Sequence, residues 1–179
     1  MSVEPTHELI GQSGPDPIHI VEYDGGWPDR YADWFVRLQG LVPSAVRIDH
    51  IGSTAVPGLP AKPTIDIQIS VPDVNAEETY VPAVESTGVL LRAREPGHRY
   101  FRPPAGQPRV VHIHVCSSGS EWETDHLLFR DYLREHPEAR DAYAALKLEL
   151  ADRYRHDRIA YTEAKTAFVK SALIAARHT

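Results

Sequence analysis

Asp66 and Gln68 stand one residue apart in the run Thr64 to Val71, downstream of a Gly52-Ser53 turn, and His112 and His114 repeat that spacing in Val110 to Val115. In a strand this spacing sends both side chains of a pair to one face. Two such strands side by side would offer a carboxylate, an amide and two imidazoles to one ligand. Transfer of a phosphoryl or nucleotidyl group calls for backbone donors to hold phosphate, a divalent cation, and a group that orients the attacking oxygen. The Gly-Ser turn permits close backbone approach and adds a hydroxyl donor. Asp66, His112 and His114 are therefore the expected catalytic residues, the imidazoles acting as metal ligands or proton carriers. Asp66, Gln68 and His114 are the expected metal ligands, Gln68 the weakest because an amide brings no charge.

Phosphate contacts are expected from His50, Gly52, Ser53 and Thr54 at the turn, and from Lys62, held between Ala61 and Pro63. Arg99 is expected to add positive charge, whereas Arg102 reads as a surface ion-pairing residue. Two Tyr-x-x-x-Lys pairs, Tyr143 with Lys147 and Tyr161 with Lys165, each lie on one helix face. The lysines reach phosphate if those helices cover the polar face of the sheet, and otherwise point to solvent. Arg130-Asp131 reads as an internal ion pair, and Cys116, the sole cysteine, as a small buried hydrophobe.

These residues need elements to hold them. Ile18 to Tyr23 reads as a short strand or extended segment, and Trp27 to Gly40 as a helix with Pro28 in its first turn and Tyr31, Trp34, Phe35 and Leu38 at helical spacing. Val46, Ile48 and His50 share one side of a strand. Ile65, Ile67, Ile69 and Val71 form the apolar face of the next, opposite Asp66 and Gln68. A helix is expected over Asn75 to Glu85, followed by the run Gly88 to Leu91, a strand over Tyr100 to Arg102, and helices from Trp122 onward, with Pro137 opening a new one. Helix, then strands, then helices predicts an α+β domain with a mixed or antiparallel sheet covered by helices and a helical C-terminal third.

The chain of 179 residues, 42% hydrophobic and 25% charged, suits one domain over 18–179, preceded by a flexible arm over 1–17 rich in Pro, Gly and charge. Its net charge of −6 disfavours an extended nucleic-acid surface and leaves room for a local basic pocket. One cysteine excludes an internal disulfide and a multi-cysteine zinc site. No apolar run approaches the roughly 20 residues of a membrane span, and the N-terminus lacks a signal-peptide layout, so a cytoplasmic location is expected.

The pieces His50 to Leu59, Ala61-Lys62-Pro63, Ile65-Asp66-Ile67, His112 to Val115, Phe129 to Arg134 and Tyr143 to Lys147 together resemble the GrpB family, over the stretch from Ile18 to Phe168. That resemblance implies a nucleotidyltransferase-like core and, since a similar domain is joined to the C-terminus of some bacterial dephospho-CoA kinases, a partner enzyme. In the wider superfamily a Gly-Ser turn precedes Asp-x-Asp or Asp-x-Glu, with a third carboxylate on a later strand. Here Gln68 replaces the second acid, and His112 and His114 stand at the later strand. Two readings follow: binding of a nucleotide or another phosphorylated small molecule with metal-assisted transfer, magnesium or manganese preferred over zinc, or a noncatalytic binding or accessory module. A third treats His50, Asp66, His112 and His114 as a hydrolytic zinc site.

Overall fold

The computed structural model describes residues 8–10 and 17–178. Six strands form one sheet in the order β1-β4-β5-β6-β3-β2. They are β1 (Glu8–Leu9), β2 (Arg47–Ile51), β3 (Ile65–Val71), β4 (Leu90–Glu95), β5 (His98–Arg102) and β6 (Val111–Ser117). Only β3 and β6 pair parallel; all other neighbours are antiparallel. The helices are α1 (Trp27–Leu41), α2 (Val81–Glu85), α3 (Glu121–Glu135), α4 (Pro137–Arg153), α5 (Arg158–Ala164) and α6 (Thr166–Ala176). The α+β class with a mixed sheet and a helical C-terminal part is thus as the sequence predicts.

The clean alternation in β3 explains the layering. Ile65, Ile67, Ile69 and Val71 join Val111, Ile113, Val115 and Phe101 in the main core, with Trp27 and Leu38 of α1 and Val84 of α2. α1 begins with Pro28 in its first turn, where the missing N–H costs nothing, and its Asp29 suits the positive end of the helix. The other sheet face lies under the C-terminal helices. There Val56 and Leu59 pack with Leu133 and Tyr143, and Ile18 packs with Leu150 and Tyr161. α3 starts at Ser120, whose hydroxyl accepts from Glu123 N, while Glu123 Oε2 accepts from Gly119 N, a variant of the capping box. Pro137 opens α4 as expected.

Three expectations need correction. The helix over Asn75 to Glu85 is broken into a 3-10 turn, Glu77–Thr79, and the short α2, because Pro82 cannot donate to a preceding turn and restarts the helix. Ile18 to Tyr23 forms a single bridge, Val21 to Ala61, since Pro60 and Pro63 beside Ala61 lack the donors to extend a ladder. Of the arm over 1–17, residues 1–7 and 11–16 lie outside the described residues; Glu8–Leu9 pairs with β4 at the sheet edge, and Ile10 packs against the core.

Arg99 is the fourth correction. It shares the apolar face with Phe101, where its Nε donates to Glu77 Oε1 (2.5 Å), its Nη2 to Asn75 Oδ1 (3.0 Å) and its Nη1 to the Glu95 and His98 carbonyls. Buried charge there is tolerable only because it is fully engaged. Glu77 also holds Arg94. Glu77→Ala should therefore destabilise the fold by about 2 kcal/mol, less than a fully buried pair would cost because Glu77 keeps 23% side-chain exposure. Urea unfolding checks it; an unchanged midpoint would show that Arg99 does not depend on Glu77.

Candidate functional site

The parallel register of β3 and β6 sets Asp66 opposite His112 and Gln68 opposite His114. His112 Nδ1 lies 3.2 Å from Asp66 Oδ1, and His114 Nε2 lies 3.5 Å from the same oxygen. The three expected catalytic residues thus form one group. Gly52 sits against it with φ +72°, and a Cβ there would fall 2.6 Å from Asp66 Oδ2. Glycine is required both for that backbone angle and for that approach. Burial alone would raise the Asp66 pKa, but the two imidazoles outweigh it and hold the carboxyl below its usual range. Burial also lowers His112, against the pull of Asp66. His112 Nε2 is buried and has no hydrogen-bond partner among the described residues.

A chain of contacts extends from this group. His114 Nδ1 meets His98 Nε2 at 3.0 Å, and His98 Nδ1 meets Glu95 Oε2 at 2.9 Å. His98 is buried between rings, with Trp122 stacked on it at 4.4 Å, and burial pushes its pKa down to about 4. Glu95 accepts from His98 Nδ1, and one proton is shared between His98 Nε2 and His114 Nδ1. Trp122 also stacks on His126 at 3.6 Å, and Tyr100 packs edge-on to His112. Sequence reasoning passed over His98, Tyr100, Trp122 and His126. Alternation in β5, with Phe101 in the core, would have placed His98, Tyr100 and Arg102 on this face; nothing local announces that α3 lays Trp122 over it.

Next to this group the chain gathers lysines. It has four in all, and Lys62, Lys147 and Lys165 act on one another electrostatically, with Asp66 the one carboxylate that supports their charge. Lys62 and Lys165 share the Tyr161 ring, at 5.2 and 4.3 Å from its centroid. Lys147, only 2% exposed, donates to the Pro60 carbonyl and lies over Tyr143. Among the described residues none of the three makes an ion pair. Burial, reinforced by neighbouring lysines, lowers Lys147 to about 7 and Lys165 to about 8 and also lowers Lys62. Arg109 and Arg158 add positive charge beside Lys62. Arg102, close to Arg109, Arg92 and Arg158, borders this basic region, so the two arginines exchange the roles expected of them.

The remaining expected residues sit elsewhere. Thr54 Oγ1 donates to the Thr64 carbonyl (3.2 Å), so His50 Nε2–H donates to Thr54 Oγ1 (2.9 Å), and the His50 ring stacks on Tyr31 of α1. Burial lowers His50 to about 4. His50 and Thr54 are therefore a buried structural pair: alternation from Ile48 carries His50 to the core face, away from phosphate or a zinc site. Ser53 opens the 3-10 turn after Gly52 and is partly exposed. Arg130 pairs with Asp131 and donates to the His50 carbonyl, an internal tie as expected. Cys116 is buried, its thiol pushed up to about 11.

Gln68 is 0% exposed, and neither its Oε1 nor its Nε2 has a hydrogen-bond partner among the described residues. Two-carboxylate magnesium chemistry, which the superfamily resemblance implies, does not fit one carboxylate beside a neutral amide and two imidazoles. The helices do not include one long and apolar enough to cross a membrane, among the described residues.

Comparison with known proteins gives a consistent result. A UPF0157 protein of Streptomyces coelicolor is 40% identical over 90% of this chain and 85% of its own length. A dephospho-CoA kinase of Mycolicibacterium paratuberculosis is 28% identical over 87% of this chain, which spans 45% of that kinase. The crystal structure of the conserved protein GrpB from Enterococcus faecalis superposes with a TM-score of 0.80 at 30% identity, covering 88% of this chain and 96% of that one. The GrpB protein family matches residues 17–174, and with these relatives it shows that the chain belongs to the GrpB family.

Proposed function

We propose that this protein binds a nucleotide or another phosphorylated small molecule between the Asp66–His112–His114 group and the three lysines, and transfers its phosphoryl or nucleotidyl group. One observation carries this reading: three of the chain's four lysines, Lys147 buried and Lys62 and Lys165 half-buried, gather near a single carboxylate. Burying amines without anions is unfavourable. A polyphosphate would supply the missing negative charge. Asp66 and His112, in contact through Oδ1 and Nδ1, would hold a metal ion or move a proton at the reacting end. Likeness to part of a dephospho-CoA kinase adds coenzyme A precursors to the ligands worth testing.

A second reading, a binding or accessory module without turnover, is favoured by Gln68, which buries an amide where a second acid would stand. Calorimetry with nucleotides, inorganic pyrophosphate and coenzyme A precursors, followed by assay of phosphate or pyrophosphate release, separates the two. The transferase reading expects saturable binding and release that Asp66→Ala abolishes without unfolding the protein. Binding without release supports the module, and binding of none of the probes contradicts both.

Two further outcomes are expected. Lys165→Met removes a charge that burial opposes, so the unliganded protein should melt no lower than wild type while affinity for the phosphorylated probe falls about tenfold, the loss of one charge-assisted contact. A lower melting point with unchanged affinity would assign Lys165 to the fold instead. The second concerns pH. Lys147 and Lys165 have folded-state values of about 7 and about 8 against 10.5 unfolded, so the unfolded chain binds more protons across that window. Their contribution to unliganded stability must rise with pH from about 7 toward 10.5. Ligand affinity must move the opposite way, because binding needs the ammonium forms and takes up protons. Titrations at pH 7 and 9 check the sign; affinity that rises with pH would rule the lysines out as phosphate contacts.

A further inference from the structure

We infer that Asp66, His112 and His114 form a binding site for one divalent first-row transition metal ion, of the two-histidine, one-carboxylate kind, with Gln68 outside its ligand set. His114, held at Nδ1 by His98, turns its Nε2 toward Asp66 Oδ1 at 3.5 Å. His112 presents the same oxygen with Nδ1 at 3.2 Å. One potential ligand atom from each of the three residues lies within 4.8 Å of the others. Ligands bound at ~2.0–2.2 Å around one ion sit roughly 3–3.5 Å apart, so the two measured separations are edges of a coordination shell that would need little movement to close.

The surroundings are also those of a metal site. A ligating histidine is normally held by a hydrogen bond from its other ring nitrogen, which fixes tautomer and orientation. His114 has this support from His98, and His98 from Glu95, while the rings of Trp122 and Tyr100 fix the planes. Gly52 closes one side of Asp66 with backbone, and Asp66 keeps 27% side-chain exposure, a route for entry. Two imidazoles and one carboxylate select zinc, manganese, iron(II) or cobalt(II) over magnesium, which prefers oxygen ligands. Three protein ligands leave coordination positions open. This inference does not require the phosphate reading: the ligands are on the sheet, and the lysines are not among them.

The test uses the full-length protein stripped with a chelator and dialysed against zinc, manganese, cobalt(II) or magnesium, with bound metal measured by elemental analysis and the cobalt form followed by its visible absorption bands. The expected result is one transition ion per chain, negligible magnesium, and at least a hundredfold weaker binding in His112→Gln and in His114→Gln. His98→Asn, which removes a positioning residue, should weaken binding roughly 10–100-fold and shift the cobalt bands without abolishing them. Circular dichroism of the metal-free variants confirms that each is folded, and Gln68→Ala serves as a variant expected to leave stoichiometry unchanged. Absence of stoichiometric binding by wild type, or binding undiminished in both histidine variants, would overturn the site. Metal bound without affinity for any phosphorylated probe would refute the proposed function and keep this inference, and the reverse result would do the opposite.

Discussion

The parallel pairing of β3 with β6 is the constraint on which the rest depends. It alone brings Asp66 level with His112 and Gln68 level with His114. Because side chains alternate along a strand, a one-residue slip would send both imidazoles into the core and Ile113 to the cleft. The register is protected by apolar residues on the opposite face: Ile65, Ile67, Ile69, Val111, Ile113 and Val115 are all fully buried, and a slip would expose all of them at once. The stability of the core and the assembly of the polar group are thus one requirement.

On that face, polarity is graded across the strands. At the β2 side Gln68 and Ser70 are sealed beneath α3 and cannot meet solvent. At the β6 and β5 side imidazoles and aromatic rings share hydrogen bonds and stacking. Beyond Asp66, where Lys62 enters from its loop, α4, α5 and α6 bring in the Lys147 and Lys165 amines and the Tyr161 platform. At the β2 side Asp49 is paired with Arg47 and Arg130, whereas the lysines gather at this last end, where the proposed anionic ligand would meet them.

Much of this was legible in the sequence. Period-2 alternation identified β3 and β6 and the faces of Asp66, His112 and His114 correctly, because one face of each strand is uniformly β-branched. The same rule set His50 on the side of Ile48, which is the core face, and in β5 it sets Arg99 with Phe101; the charge of Arg99 and the motif around His50 pointed the other way. The rest could not be read locally. The convergence of Lys62, from a loop, with Lys147, from α4, and Lys165, at the junction of α5 and α6, is set by tertiary packing, as is the placement of Trp122 over His98. The helix expected from Asn75 failed at Pro82, a signal present in the sequence and underweighted.

The most direct measurement of the central claim, that the clustered lysines form an anion site, is carbon-detected NMR of the four lysine side chains during titration with pyrophosphate. The account predicts that three εCH2 resonances, those of Lys62, Lys147 and Lys165, titrate below the ordinary lysine range and move together to higher apparent pKa as pyrophosphate saturates. Four equivalent lysines that titrate alike and ignore pyrophosphate would contradict it.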